Sequence, residues 1–225
     1  RFLPFLLAFT IVLPSYSVFA EEENQTNETQ ANEATANDTL SLAAETAVLI
    51  DAASGEILYD KDADKKMYPA SITKLMTILL ALENGKLTDE ITFSHDAVYN
   101  IEPGSAHIAI LEGETLTLEQ VLRAIILRSA NEASNGVAEY VDGSVEAFAK
   151  RMTERAKELG CTNTNFVNAN GLFDENHYTT AHDMALIARE LLKHEEYRSM
   201  MSETDYKIPP TNLQTETRYL HGQHQ

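Results

Sequence analysis

Over much of residues 71–191 apolar side chains recur every third or fourth position, the spacing of helices with one buried face. Ile72, Leu75, Met76, Leu79 and Leu82 predict a helix over residues 71–83 that Gly85 stops. Thr117-Leu118-Glu119-Gln120 has capping-box spacing and opens a second helix, with Leu118, Val121, Leu122, Ile125 and Ile126 facing inward. A third helical stretch follows Asn131. A fourth, over residues 145–159, carries the stripe Phe148, Met152, Ala156 and Leu159, and a fifth begins near Thr180 with Met184, Ile187, Ala188 and Leu191. Ahead of these helices the period changes. Ala47-Val48-Leu49-Ile50 and Glu56-Ile57-Leu58-Tyr59, joined by Ala52-Ala53-Ser54-Gly55, predict a β-hairpin. Strands first and helices afterwards indicate an α+β arrangement. One hairpin offers little sheet for so many helices to pack on, so further strands are expected beyond Gln225.

The N-terminus departs from this pattern. Arg1 precedes an apolar run from Phe2 to Val12, and Val18-Phe19-Ala20 ends in a small residue ahead of Glu21-Glu22-Glu23. Residues 1–20 therefore read as a secretory signal peptide cleaved after Ala20, which places the mature chain across the cytoplasmic membrane, at the cell wall or the outer face of that membrane. Residues 21–44, rich in Glu, Asn, Thr and Ala, read as an acidic disordered linker, and residues 45–225 as a partial catalytic domain. In 225 residues, 44% of them hydrophobic, there is material for one substantial core. A formal net charge of -18 argues against nucleic-acid binding and against attraction to anionic membranes. Membrane association is expected only through segments outside this sequence. The lone Cys161 and the seven scattered histidines suggest no internal disulfide, no metal site and no cofactor.

The candidate chemistry lies at helix ends. Ser71 and Lys74, three residues apart, fall on one helix face, where an amine of lowered pKa can take the proton of a serine hydroxyl. A helix N-terminus adds partial positive charge, and the Ser71 N–H can face a developing oxyanion. Alone the spacing says little: a capping serine and a solvated lysine produce it too, and it recurs by chance about once in a chain of this length. Ser129 and Asn131, in Arg128-Ser129-Ala130-Asn131-Glu132-Ala133, interrupt the chain just where an apolar helix ends. Ser129 can relay a proton between Lys74 and a leaving amine. Asn131 can bond a substrate amide and help hold Lys74.

Together, Ser71-x-x-Lys74 and Ser129-x-Asn131 resemble the penicillin-recognising serine enzymes. The longer run Pro69-Ala70-Ser71-Ile72-Thr73-Lys74-Leu75-Met76-Thr77 resembles the low-molecular-weight penicillin-binding proteins that act as serine D-Ala-D-Ala carboxypeptidases. Phe166-x-Asn168, Gly171-Leu172, the run from His177 to Ala185 and Pro209-Pro210-Thr211-Asn212 continue the resemblance from about Ala47 to Leu220. It implies a β-lactamase/transpeptidase-like fold, an antiparallel sheet flanked by a helical cluster, incomplete at the C-terminus. It also implies a peptidoglycan stem peptide ending in D-Ala-D-Ala as substrate, an acyl-enzyme on Ser71, and β-lactams as covalent inhibitors. In this family a third motif, Lys-Thr-Gly or Lys-Ser-Gly, follows on a strand. No lysine here precedes Thr-Gly or Ser-Gly.

The competing readings are a secreted class A β-lactamase and a non-catalytic wall-binding or penicillin-sensing module. The former wants a Glu-x-x-x-Asn loop, and residues 163–182 offer only Asp174-Glu175-Asn176. The intact Ser71, Lys74, Ser129 and Asn131 argue against the latter. His107, His177 and His182 are expected to stay outside catalysis, and Cys161 to be a small buried apolar group. Without further strands the hairpin should expose an unpaired edge and an apolar face, so residues 21–225 alone are expected to fold poorly and to lack activity.

Overall fold

A computed structural model describes residues 42–222. The predicted signal segment, and all of the predicted linker but its last residues, lie outside that range.

The chain opens with strands β1 (Ala47–Ile50) and β2 (Ile57–Lys61), an antiparallel pair with Ala47 opposite Lys61 and an irregularity between Leu49 and Ile50. Asp51 shapes the turn. Its Oδ1 accepts from the N–H groups of Ala53 and Ser54 at 3.0 and 2.6 Å. A 3-10 turn, Ala70–Thr73, leads into α1 (Lys74–Asn84). Then come β3 (Glu90–Thr92), the short α2 (His95–Tyr99), β4 (Thr115–Thr117), α3 (Leu118–Arg128), α4 (Asn131–Asp142) and α5 (Val145–Glu158). After a long loop, α6 (Ala181–Leu191), α7 (Glu195–Met201), β5 (Asp205–Ile208) and β6 (Arg218–His221) complete the described chain.

The core is helix on helix. α4 touches α1, α2, α3 and α5, and every residue from Asn131 to Ala138 is buried. Gly136 makes this approach possible, because a Cβ there would fall 2.3 Å from Cε1 of the buried Phe93. Met76, Leu79, Leu118, Leu122, Phe148 and Met152 fill the space between helices. Each such side chain contributes roughly 1.5–3 kcal/mol by leaving water. The capping box opening α3 is formed: Thr117 Oγ1 accepts from Gln120 N, and Gln120 Oε1 accepts from Thr117 N.

Three features differ from the sequence reading. The helix expected from Ser71 starts at Lys74, so Ile72 sits on the preceding turn and is 54% exposed instead of facing the core. The helices bury one another and do not wait for a sheet. The described strands form three separate two-stranded antiparallel ladders, β1–β2, β3–β4 and β5–β6. Apolar side chains of the hairpin are exposed at Leu49, Ile57 and Leu58. Arg189 of α6 ties the β1–β2 turn to the helices by donating to Ala52 O and Ala53 O at 2.9 and 2.8 Å.

Candidate active site

Two left-handed residues set the site. Ala70, at φ 49°, and Ser129, at φ 54°, adopt a conformation that costs an L-residue energy and persists only where surrounding structure enforces it. Ala70 turns the chain so that Ser71 is exposed one turn ahead of α1. Ser129 ends α3, its N–H bonded to Ile125 O at 2.9 Å. Gly171, at φ +85°, lies against this turn so closely that a Cβ would sit 1.9 Å from Ala70 O. No residue with a side chain fits there.

Ser71, Lys74 and Ser129 come together. Lys74 Nζ donates to Ser71 Oγ at 3.3 Å, and Ser129 Oγ donates to the same oxygen at 3.0 Å. Lys74 is 4% exposed, and burial lowers its pKa to about 8, opposed by the negative charge of Glu132. An amine so placed is a substantial fraction neutral near physiological pH, which is what a base for a serine hydroxyl requires. Asn131, by contrast, opens α4 with its side chain buried and makes no bond to Lys74. Its main-chain N–H donates to Ala106 O at 2.9 Å.

The second polar anchor of Lys74 is one the sequence reading missed. Nζ donates to Asn170 O at 2.7 Å. The loop carrying that carbonyl is fixed at several points. Thr77 Oγ1 donates to Ala169 O at 2.6 Å, Asn170 Nδ2 to Asn135 Oδ1 at 3.1 Å, and Gly171 N to Asn168 Oδ1 at 2.8 Å. His177 supports the same wall. Its Nδ1 accepts from Val167 N at 3.1 Å, which leaves Nε2–H to donate to Thr73 Oγ1 at 2.7 Å. Burial takes this imidazole down to about 4, so it stays neutral. The sequence marked Asn168, Gly171 and His177 as parts of a resemblance, but no spacing told that their loop would meet Lys74.

The other residues singled out lie elsewhere. His107 is exposed and accepts from Ala109 N, and His182, in the first turn of α6, pairs with Asp64 at 3.2 Å near the surface. Cys161 is 5% exposed and donates weakly to Asp183 O. Burial pushes its thiol up to about 12, so it is protonated and inert at neutral pH.

A cleft of about 500 Å³ opens at Ser71, Lys74 and Ser129 and continues along Ile72, Leu75, Ile126 and Met201. Tyr68 and Phe173, two residues from Ala70 and Gly171 respectively, set their rings edge-to-face with centroids 5.0 Å apart. Among the described residues, no three His, Cys, Asp or Glu side chains are grouped to hold a metal. No described helix is long and apolar enough to cross a membrane.

Comparison with known proteins matches residues 29–221 to the D-alanyl-D-alanine carboxypeptidase family, peptidase S11. The chain is 38% identical over 195 residues to the D-alanyl-D-alanine carboxypeptidase DacF of Bacillus subtilis, covering 84% of this chain and 47% of that protein. It is 37% identical to DacC of Escherichia coli, covering 64% and 38%. Penicillin-binding protein 5 from Haemophilus influenzae superposes with a TM-score of 0.71 at 31% identity, over 80% of this chain and 52% of that one. The chain thus spans half or less of the length of these curated relatives.

Proposed function

From the premise that this chain belongs to the D-alanyl-D-alanine carboxypeptidase family, whose penicillin-binding fold it shares, we propose that its protein is a serine D-Ala-D-Ala carboxypeptidase trimming peptidoglycan stem peptides outside the cytoplasm. The observation that carries the reading is the position of Ser71 Oγ, 3.3 Å from a buried lysine amine and 3.0 Å from the Ser129 hydroxyl.

In this mechanism Ser71 Oγ attacks the carbonyl carbon of the penultimate D-alanine, and its proton passes to the neutral Lys74 amine. The Ser71 N–H faces the oxyanion. As the peptide C–N bond breaks, the leaving nitrogen takes a proton from Lys74 relayed through Ser129, and terminal D-alanine departs. Water then attacks the Ser71 ester, giving one proton to Lys74, and as the ester C–O bond breaks Ser71 Oγ takes that proton back from Lys74. Asn131 is assigned to the substrate amide from its place in the Ser129-x-Asn131 motif. A β-lactam carbonyl would enter at the same oxygen and acylate Ser71.

The test uses the full-length protein. Labelled penicillin should attach to Ser71, and D-alanine should be released from a D-Ala-D-Ala peptide. Ser71→Ala should reduce both by at least about 10³-fold. Label retained on another residue would remove Ser71 from this role.

A further inference from the structure

Asn135 of α4 is 3% exposed, and both ends of its amide are in use. Its Nδ2 donates to Ala97 O and Asn100 O, each at 3.3 Å, and its Oδ1 accepts from Asn170 Nδ2 at 3.1 Å. The two donated bonds are a cap. Ala97 lies in the last turn of α2 and Asn100 just past it, where carbonyls have no partner within the helix. The accepted bond has no part in capping. It joins α4 to the loop that meets Lys74. Asn170 is itself 4% exposed, its Oδ1 accepting from Leu172 N at 2.9 Å and its main-chain O accepting from Lys74 Nζ at 2.7 Å. A chain of hydrogen bonds thus runs from the end of α2 through Asn135 and Asn170 to the amine.

A neutral primary amine has two N–H groups and one lone pair, and it turns about its Cε–Nζ bond unless an N–H is held. With one N–H on Asn170 O, the lone pair is free to face Ser71 Oγ, 3.3 Å away. Without that acceptor the amine faces the hydroxyl only part of the time, and a misdirected base slows the chemical step without weakening ligand binding. We propose that Asn135 is a positioning residue for the base: through the Asn170 amide it holds the Asn170 carbonyl against Lys74 Nζ and so aims the amine at Ser71, an assignment that rests on Ser71 and Lys74 acting as nucleophile and base. Of the titratable groups on the elements packed around Lys74, Glu132 of α4 acts on the amine through its charge, and His177 is neutral. Asp183 and His182 of α6, Arg128 of α3 and Arg155 of α5 are engaged with Thr164, Asp64, His221 O and Glu83.

The test measures penicillin acylation of the full-length protein by stopped flow between about pH 6 and 10, separating the limiting rate from the half-saturating concentration. Asn135→Leu keeps the size of the side chain and removes its polar ends. The limiting rate should fall about tenfold or more, while the half-saturating concentration stays within about twofold. A carbonyl acceptor favours the ammonium form, so losing it should also move the rising limb of the pH profile below its native position near 8, by about half a unit. Asn170→Ala, which cuts the same link from the loop side and leaves α4 intact, should reproduce both changes and carries the test if Asn135→Leu does not fold. Combined, the two substitutions should slow acylation no more than about twofold beyond either alone. A limiting rate that stays native, a fall matched by an equal rise in half-saturating concentration, a limb that does not move, or effects that multiply would each overturn the assignment while leaving Ser71 and Lys74 in their roles. Native protein that takes no label at Ser71 would overturn those roles and this assignment together.

Discussion

The two sides of Ser71 are built on opposite principles. Toward Lys74 the structure is closed: Thr73, Thr77, Asn135, Asn170 and His177 are all buried, and each has a polar partner. Toward Ser129 the cleft runs out along apolar surface, where Ile72 is 54% and Met201 46% exposed. Burial is what lowers the Lys74 pKa to about 8, so in the proposed mechanism the closed side is where the base is tuned. The open side lacks that density. It offers access and apolar contact, and a side chain there has little to lose by changing.

Substitutions on the closed side should therefore be costly, and those on the open side mild. Lys74→Met is the deepest cut: penicillin acylation by the full-length protein should fall at least about 10³-fold. In the native protein the acylation rate should rise with pH and level off above about 8, where Lys74 becomes neutral. Stability carries a matching signature. Lys74 keeps its proton in the unfolded chain up to about 10.5 but loses it near 8 when folded, so the unfolded state binds more protons between those values. Native stability should gain about 3 kcal/mol across that window relative to Lys74→Met, measured by denaturant unfolding at several pH values. A flat difference would show that Lys74 is not desolvated.

Gly171→Ala comes next. A methyl 1.9 Å from Ala70 O must displace the turn that presents Ser71, so a loss of about 2 kcal/mol or more and slowed acylation are expected from thermal unfolding and labelling rates. His177→Gln removes the ring but keeps a donor for Thr73, and acylation should stay within about tenfold, with no inflection near pH 6 in either protein. Met201→Ala on the open side should change stability by less than about 1 kcal/mol. If Met201→Ala proved as damaging as Gly171→Ala, the contrast between the two sides would collapse.

How much of this was readable beforehand follows from the range of the forces involved. Helix positions were legible because the apolar stripe of α5 and the capping box of α3 are local, and Ser71 and Lys74 share one short motif while Ser129 opens another. α2 went unread because five residues cannot show a period, although Ser94 caps it by accepting from Ala97 N. The exposure of Ile72 was hidden because a 3-10 turn and an α-helix share a sequence pattern and point side chains differently. The carbonyl of Asn170 carries no side-chain signature at all. It reaches Lys74 from 96 residues away, through a loop that only Gly171 can close.

The solitary thiol of Cys161 gives the molecule a built-in clock. Under the native fold it is shielded and protonated, so an alkylating reagent must wait for the chain to open. The rate at which thiol is consumed then counts openings of the region where the end of α5 meets α6, with no probe engineered in. Within these 225 residues no second cysteine competes, so this region is marked once and keeps the mark after it refolds.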